Sequence, residues 1–137
     1  MDASLQSLAN SILALILYLL VVTTIYIIGL IVYVKLTPHK EIELIQEGNM
    51  AAAISFSGLV VGLALPLAAC LTWKVGLSNV VVWGTVSVLL QLFLFRITDI
   101  FLSGMPQRIT DGEVAAATVL ASFKLAGSII LALAIAG

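Results

Sequence analysis

The sequence predicts an all-α integral membrane protein with four transmembrane helices. Of its 137 residues, 62% are hydrophobic and only 9% are charged, whereas a soluble domain is usually about 25% charged. The mean hydropathy is +1.24. Because so few polar side chains cannot cover a water-facing surface, the composition excludes a disordered protein and argues against a soluble one. The net charge of −1 also leaves no basic surface for a nucleic acid partner.

Four apolar runs are each long enough to cross a bilayer, whose core of about 30 Å needs roughly 20 apolar residues per helix. The first two runs carry no charged residue, the third is charged only near its end, and the fourth carries a single lysine. As a bundle in water, four such helices would lack polar outer faces. We therefore predict one membrane domain, residues 1–137, with spans at 8–34, 50–73, 79–102 and 114–136.

The orientation follows from the basic residues in the short connections. Lys35 and Lys40 follow the first span and Arg108 follows the third, whereas Lys74 alone follows the second. Since cytoplasmic loops carry the excess of Lys and Arg, both longer loops are predicted in the cytoplasm and both termini outside it. Tyr33, beside Lys35, is expected at the cytoplasmic interface.

The second and fourth spans begin with similar segments. Residues 45–53 read IQEGNMAAA and residues 109–117 read ITDGEVAAA. Because an even number of crossings separates the two segments, they begin on the same side of the membrane. The chain is therefore predicted to consist of two parallel two-helix repeats, about 1–73 and 74–137.

These residues resemble a known family. The segment 48–54 (GNMAAAI), Gly58 and the segment 62–68 (GLALPLA) are similar to the YjfL-like family of small bacterial inner-membrane proteins, and the resemblance covers nearly the whole chain. It implies a four-helix protein of the inner membrane with a tandem two-helix unit, and no established activity. The second copy departs from the motif, with Glu113 where the first has Asn49.

The repeated motif is predicted to start helices. Asn49 is expected to cap the second span, and Thr110 with Glu113 fits a capping box before the fourth. Acidic residues at both starts suit the positive end of the helix dipole. An ion-binding or partner-binding role is the alternative to capping. The motif residues are Gly48, Asn49, Asp111, Gly112 and Glu113.

Small residues predict which helices pack together. Gly58 and Gly62 form a small-xxx-small pattern on the second span, and Ser122 and Ala126 occupy the matching positions on the fourth. Because lipid gives no hydrophobic drive between helices, association depends on such close packing. The second and fourth spans are therefore expected at the centre and the other two at the periphery.

A polar layer is predicted at mid-membrane. Lys124 lies about 16 Å into the fourth span at 1.5 Å per residue, where a lysine costs at least about 2.5–3.5 kcal/mol. On the second span, Pro66 lacks an N–H and frees the carbonyl of Gly62. The other polar residues at this depth are Gln91, Thr23 and Thr24.

No acidic residue is predicted at the level of Lys124. Asp99 is expected about 12 Å nearer the cytoplasm, where it would pair with Arg96 at a spacing of i, i+3. Lys124 then either lines an ion or proton path or anchors a subunit interface through hydrogen bonds.

The first functional expectation is a homo-oligomer that forms an ion, proton or small-solute pathway through this polar layer. The alternative is a membrane scaffold or regulatory subunit that binds a soluble cytoplasmic partner through residues 35–49 and 103–113. Within that region, residues 38–47 are predicted to form a short interfacial helix.

Enzymatic and metal chemistry are not expected. No nucleophile–base pair, phosphate loop or zinc-ligand spacing occurs in the sequence, so neither catalytic residues nor a cofactor are predicted. His39, Glu41 and Glu43 lie close together, but a solvated loop is favoured over a metal site.

Overall fold

The computed structural model describes residues 2–36, 41–72, 76–102 and 104–137, and every regular element in these ranges is helical. Four of the helices are long and apolar enough to cross a membrane, which confirms the predicted fold class. These four are α1 (Asp2–Leu36), α3 (Met50–Cys70), α4 (Leu77–Phe101) and α6 (Val114–Ala136). Two short helices, α2 (Glu41–Gln46) and α5 (Met105–Thr110), precede α3 and α6.

The first helix is longer than its predicted span of 8–34. Its 35 residues extend over about 50 Å at 1.5 Å per residue, which exceeds the thickness of a bilayer core. Only 6% of its most apolar window is buried. The second half of α1 meets the bundle, where Gly29 and Tyr33 are buried and the Tyr26 hydroxyl donates to the Val60 carbonyl at 2.6 Å.

The pair α3 and α6 shares the most extensive helix–helix contact. A Cβ placed on Gly58 would lie 2.7 Å from the Cβ of Ala121, and one on Gly62 would lie 2.6 Å from the hydroxyl of Ser128. Gly58 packs against Ala121 and Gly62 against Ser128, so the residue numbers rise together along the two helices. The helices α3 and α6 therefore run in the same direction. The two glycines let the helix backbones approach closely, which is how small residues promote association in lipid.

The packing positions predicted on the fourth span were wrong. Ser122 and Ala126 are both exposed, and the Ser122 hydroxyl donates to a carbonyl of its own helix at 2.8 Å. The buried face of α6 carries Ala121 and Lys124 instead. Residues two apart in a helix point about 200° apart, so burying Lys124 turns Ser122 and Ala126 outward.

The two matching segments have the same local backbone. Gly48 and Gly112 adopt φ values of +87° and +84°, which favour glycine. The amides of each glycine and of the following residue, Asn49 or Glu113, donate to carbonyls of the preceding short helix at 2.9–3.0 Å. Both short helices therefore end in a Schellman motif. The larger arrangement as two parallel repeats stays a prediction.

Candidate functional site

Lys124 of α6 is the most deeply buried charged side chain of the described residues, at 1% exposure. Its ammonium nitrogen lies 3.1 Å from Oδ1 of Asp99 on α4, whose side chain is 12% exposed. The ammonium also donates to the hydroxyl of Tyr33 on α1. That hydroxyl donates in turn to Oδ2 of Asp99 at 3.2 Å. Lys124, Tyr33 and Asp99 thus form a closed triangle of polar contacts, which we call the ion-pair triad.

Aromatic rings surround the ammonium of Lys124. Its nitrogen lies 4.7 Å from the ring centroid of Tyr33 and 5.5 Å from that of Phe95. The two rings meet edge to face, with centroids 5.8 Å apart and planes at 84°. The faces of the rings attract a cation and their hydrocarbon excludes water. The charges of the triad therefore interact in surroundings of low dielectric constant.

The prediction that Lys124 has no acidic partner was wrong, as was the predicted pairing of Arg96 with Asp99. Arg96 is exposed, whereas Asp99 contacts Lys124. The error lay in the register between α4 and α6. Gln91 contacts Ser128 instead of lying level with Lys124. Asp99 lies eight residues beyond Gln91 on α4, and Lys124 lies four residues before Ser128 on α6. Along the bundle axis their backbones are therefore offset by only about 6 Å. The flexible four-carbon stem of lysine spans this gap.

Tyr33 belongs to the site although it was expected at the membrane interface. It is only 4% exposed and joins Lys124 to Asp99. It shares the inward face of α1 with Tyr26 and Gly29, at helical spacings of four and three. That spacing is the one local signal that could have assigned Tyr33 to the core.

Gln91 and Gly62 lie together beside Ser128, one turn of α6 from Lys124. Gln91 is fully buried, and its amide nitrogen donates to the hydroxyl of Ser128. That hydroxyl donates to the backbone carbonyl of Lys124 at 2.7 Å. Gly62 packs against Ser128 and the ring of Phe95. The structure therefore brings two of the predicted mid-membrane residues into one layer next to Lys124.

The two threonines do not join this layer, contrary to the prediction. Thr23 and Thr24 are exposed, and the Thr24 hydroxyl donates to the carbonyl of Leu20 in its own helix at 2.7 Å. Their depth was consistent with the layer, but neither side chain is buried in the bundle.

The inward face of α4 carries polar side chains among apolar ones. Ser87, Gln91, Phe95 and Asp99 occupy every fourth position and therefore share one face of the helix. A cavity of about 250 Å³ lies beside Ser87, with Cys70 and Trp83 also in its wall. The polar groups thus run from this cavity towards the ion-pair triad, with Phe95 between Gln91 and Asp99.

The family of the chain is shown by its relatives. Residues 7–135 match the family model of DUF350, a domain of unknown function. The chain belongs to the DUF350 family. It is 31% identical over 120 residues to the UPF0719 inner membrane protein YjfL of Escherichia coli strain K12, and equally to the protein of that name from Escherichia coli O157:H7. The alignment covers 88% of this chain and 91% of each relative. This confirms the resemblance to the YjfL-like family, and no solved structure matches.

In this DUF350 protein Asn49 caps α3, as predicted. Its Oδ1 accepts the amide of Ala52 at 3.0 Å. Its amide nitrogen donates to the carbonyls of Ile109 and Thr110 at 3.0 and 3.2 Å. Asn49 therefore also ties the start of α3 to the end of α5, a second role that its position in the sequence did not predict.

The capping box predicted before the fourth span is absent. Glu113 itself occupies the N-cap position of α6 and makes no side-chain capping bond. In a capping box, Thr110 would be the N-cap residue, and Glu113 would lie three residues after it inside the first turn of the helix. The Glu113 carboxylate instead pairs with Arg108 at 2.5 Å, with both side chains about half exposed.

The two glycine turns border a shallow groove. It has a volume of about 380 Å³, and its lining includes Gly48, Asn49, Asp111 and Gly112. We call it the turn groove. The helix-start motif, apart from Glu113, is thus gathered at one surface where α2 and α5 end.

Metal-binding residues are not clustered in the part of the chain that the structure describes, where no group of three or more His, Cys, Asp or Glu could hold a metal ion. His39 lies outside the described residues, as do Lys40, Trp73 and Lys74. Glu41 is buried, contrary to the expectation of a solvated loop. It accepts a hydrogen bond from Ser55 at 3.4 Å because α2 packs against α3.

Proposed function

We propose that this protein resides in the bacterial inner membrane and conducts protons across it, with the ion-pair triad as the relay. The observation that carries the proposal is the burial of Lys124 at 1% exposure, paired with Asp99 and Tyr33 inside a bundle of membrane-length helices. Ionisable groups at membrane depth are costly, and they typically mark ion pathways and proton relays.

The hydrogen bonds of the triad are directed as a relay requires. The Lys124 ammonium donates to the Tyr33 oxygen, and the Tyr33 hydroxyl donates to Asp99. Transfer of one proton along each bond converts the ammonium to an amine and the carboxylate to a carboxylic acid, and leaves the tyrosine unchanged. An ion pair and a neutral pair can therefore interconvert without movement of the backbone. Uptake of a proton by the amine and loss of one from the acid complete a cycle.

The route has a distinct approach from each end of the bundle. Asp99 is more exposed than Lys124 and lies towards the end that carries α2 and α5. We place that end in the cytoplasm from the distribution of basic residues. Towards the other end, the cavity beside Ser87 lies one turn of α4 from Gln91. Phe95 separates Gln91 from Asp99 and acts as the apolar barrier of the route.

We also propose that copies of the chain associate in the membrane. Support comes from the outer face of α6, where the small side chains of Ser122 and Ala126 are exposed and would permit close approach of another helix. The polar relay itself lies within one chain, so association would arrange several routes side by side and would not be needed to form each one.

The test is proton flux into liposomes that contain purified protein and a pH-sensitive dye, driven by a potassium gradient with valinomycin. We expect Asp99→Asn to lose the flux, because the relay loses its proton acceptor. Arg96→Gln, an exposed charge on the same helix, should keep it. Wild-type flux no faster than that of protein-free liposomes would refute the proposal, as would full flux in Asp99→Asn.

A second candidate function is a membrane scaffold or regulatory subunit. The observation that favours it is the turn groove, which presents Asp111 and the backbone of both glycine turns on one surface. A photo-crosslinking residue in place of Asp111 should capture one soluble protein in cells, whereas the same residue in place of Ser122 should not. Equal or absent capture at both positions would count against this role.

A further inference from the structure

Gln91 has a hydrogen-bonding group that the described residues do not satisfy. Its side chain is 0% exposed, and its amide nitrogen donates to Ser128. Its Oε1, however, has no hydrogen-bond partner among the residues that the structure describes. A buried acceptor without a donor is costly, and such a group calls for a ligand that the protein chain does not itself provide.

A second acceptor lies in the same layer. Pro66 is buried within α3 and has no N–H, so the carbonyl of Gly62 lacks its helical donor. Gly62 packs against the same Ser128 hydroxyl that contacts Gln91. That hydroxyl cannot serve either acceptor as donor, because its one hydrogen is given to the Lys124 carbonyl. Both acceptors therefore belong to residues that pack against Ser128, whose hydroxyl donates to neither of them.

We propose that a single water molecule is bound here and donates its two hydrogens to Gln91 Oε1 and the Gly62 carbonyl oxygen. Buried waters typically satisfy polar groups of this kind with about three hydrogen bonds. A metal cation fits less well, since neither acceptor is charged and Asp99, the neighbouring carboxylate, is paired with Lys124. The ammonium of Lys124, which already neutralises Asp99, adds positive charge on the same side of the bundle and disfavours a cation further.

The role of this water rests on the proposed function. It lies between the cavity beside Ser87 and the ion-pair triad, where Phe95 interrupts the polar face of α4. A water bound at Gln91 can take up a proton from the cavity side as it releases one of its own towards the Lys124 amine, so that it remains a neutral water. It therefore extends the relay by one turn towards the end of the bundle that carries the chain termini.

The test uses the full-length protein in lipid bilayers and does not depend on flux. Solid-state NMR with short polarisation transfer from water should give a signal at the side-chain amide of Gln91. Pro66→Ala supplies the missing N–H to the Gly62 carbonyl and should weaken that signal. Gly62→Ala adds a methyl group 2.6 Å from the Ser128 hydroxyl and should abolish it, whereas Gly127→Ala, whose added methyl meets nothing within 4 Å, should leave it unchanged.

The outcomes separate the water site from the proton pathway. A wild-type protein without a water signal at Gln91 overturns the assignment, even if proton flux is observed. A water signal without flux supports the site and refutes the pathway. A Gln91 resonance that shifts when sodium replaces potassium in the buffer identifies a metal cation as the occupant and overturns the assignment of water.

Discussion

Lys124→Met is predicted to destabilise the protein by about 3 kcal/mol. Breaking a buried ion pair by removal of one partner costs about 3–5 kcal/mol, because the other charge stays buried. After this change Asp99 retains the hydrogen bond from Tyr33, and its side chain is 12% exposed. Both features reduce the penalty, so the value falls at the lower end of the range.

The reciprocal change, Asp99→Asn, is predicted to cost more, about 5 kcal/mol. It leaves the Lys124 ammonium at 1% exposure without a counter-charge among the described residues, where its other partners are the Tyr33 hydroxyl and two aromatic rings. The double variant Lys124→Met/Asp99→Asn leaves no uncompensated charge. Because the penalty of a single unpaired buried charge is then avoided, its stability should be closer to wild type than that of either single variant.

The assay is equilibrium unfolding of the purified variants in mixed detergent micelles, followed by circular dichroism. Lys35→Met, which removes an exposed lysine outside the triad, is the matched control and should change stability little. If the cost of the double variant equals the sum of the two single costs, the residues are energetically independent. That result would refute the ion-pair triad.

Three further predictions concern helix packing and capping. Gly58→Ala should destabilise the protein by about 1–3 kcal/mol, because the added Cβ would lie 2.7 Å from that of Ala121. Gly127→Ala, with open space around it, should be neutral or slightly stabilising in the same unfolding assay; equal losses would show that the α3–α6 contact is not close. Asn49→Ala should cost about 1–2 kcal/mol through loss of the cap and should speed amide hydrogen exchange in the first turn of α3; unchanged exchange there would contradict the capping role. Tyr26→Phe should cost about 1 kcal/mol, as expected for one hydrogen bond between membrane helices, and a wild-type unfolding midpoint would show that the 2.6 Å contact contributes nothing.

The four membrane helices could be predicted because each depends on its own sequence alone. A bilayer requires about 20 apolar residues in a row, and that requirement is visible without knowledge of any neighbour. The cap at Asn49 is equally local, since it involves an amide within the same turn. The α5 helix was missed because its six residues are too short to show a hydrophobic period.

The pairing of Lys124 with Asp99 could not be predicted because it depends on the register between α4 and α6. That register sets Gln91 against Ser128, a contact between two helices that no local pattern in the sequence reveals. The outward position of Ser122 could have been predicted. Ser122 lies about 200° around the helix from Lys124, so the two side chains cannot both face the interior. Because exposing a lysine to lipid is costly, Lys124 faces the interior and Ser122 faces outward.

The most direct test of the proton pathway compares the initial rate of proton entry for wild type and Lys124→Met, reconstituted at equal density in the same liposomes. The relay begins at the Lys124 ammonium, so the variant is predicted to show only the leak of protein-free liposomes, while Lys35→Met conducts as wild type does. Equal rates for wild type and Lys124→Met would contradict the account, because a methionine at position 124 can neither hold nor transfer a proton.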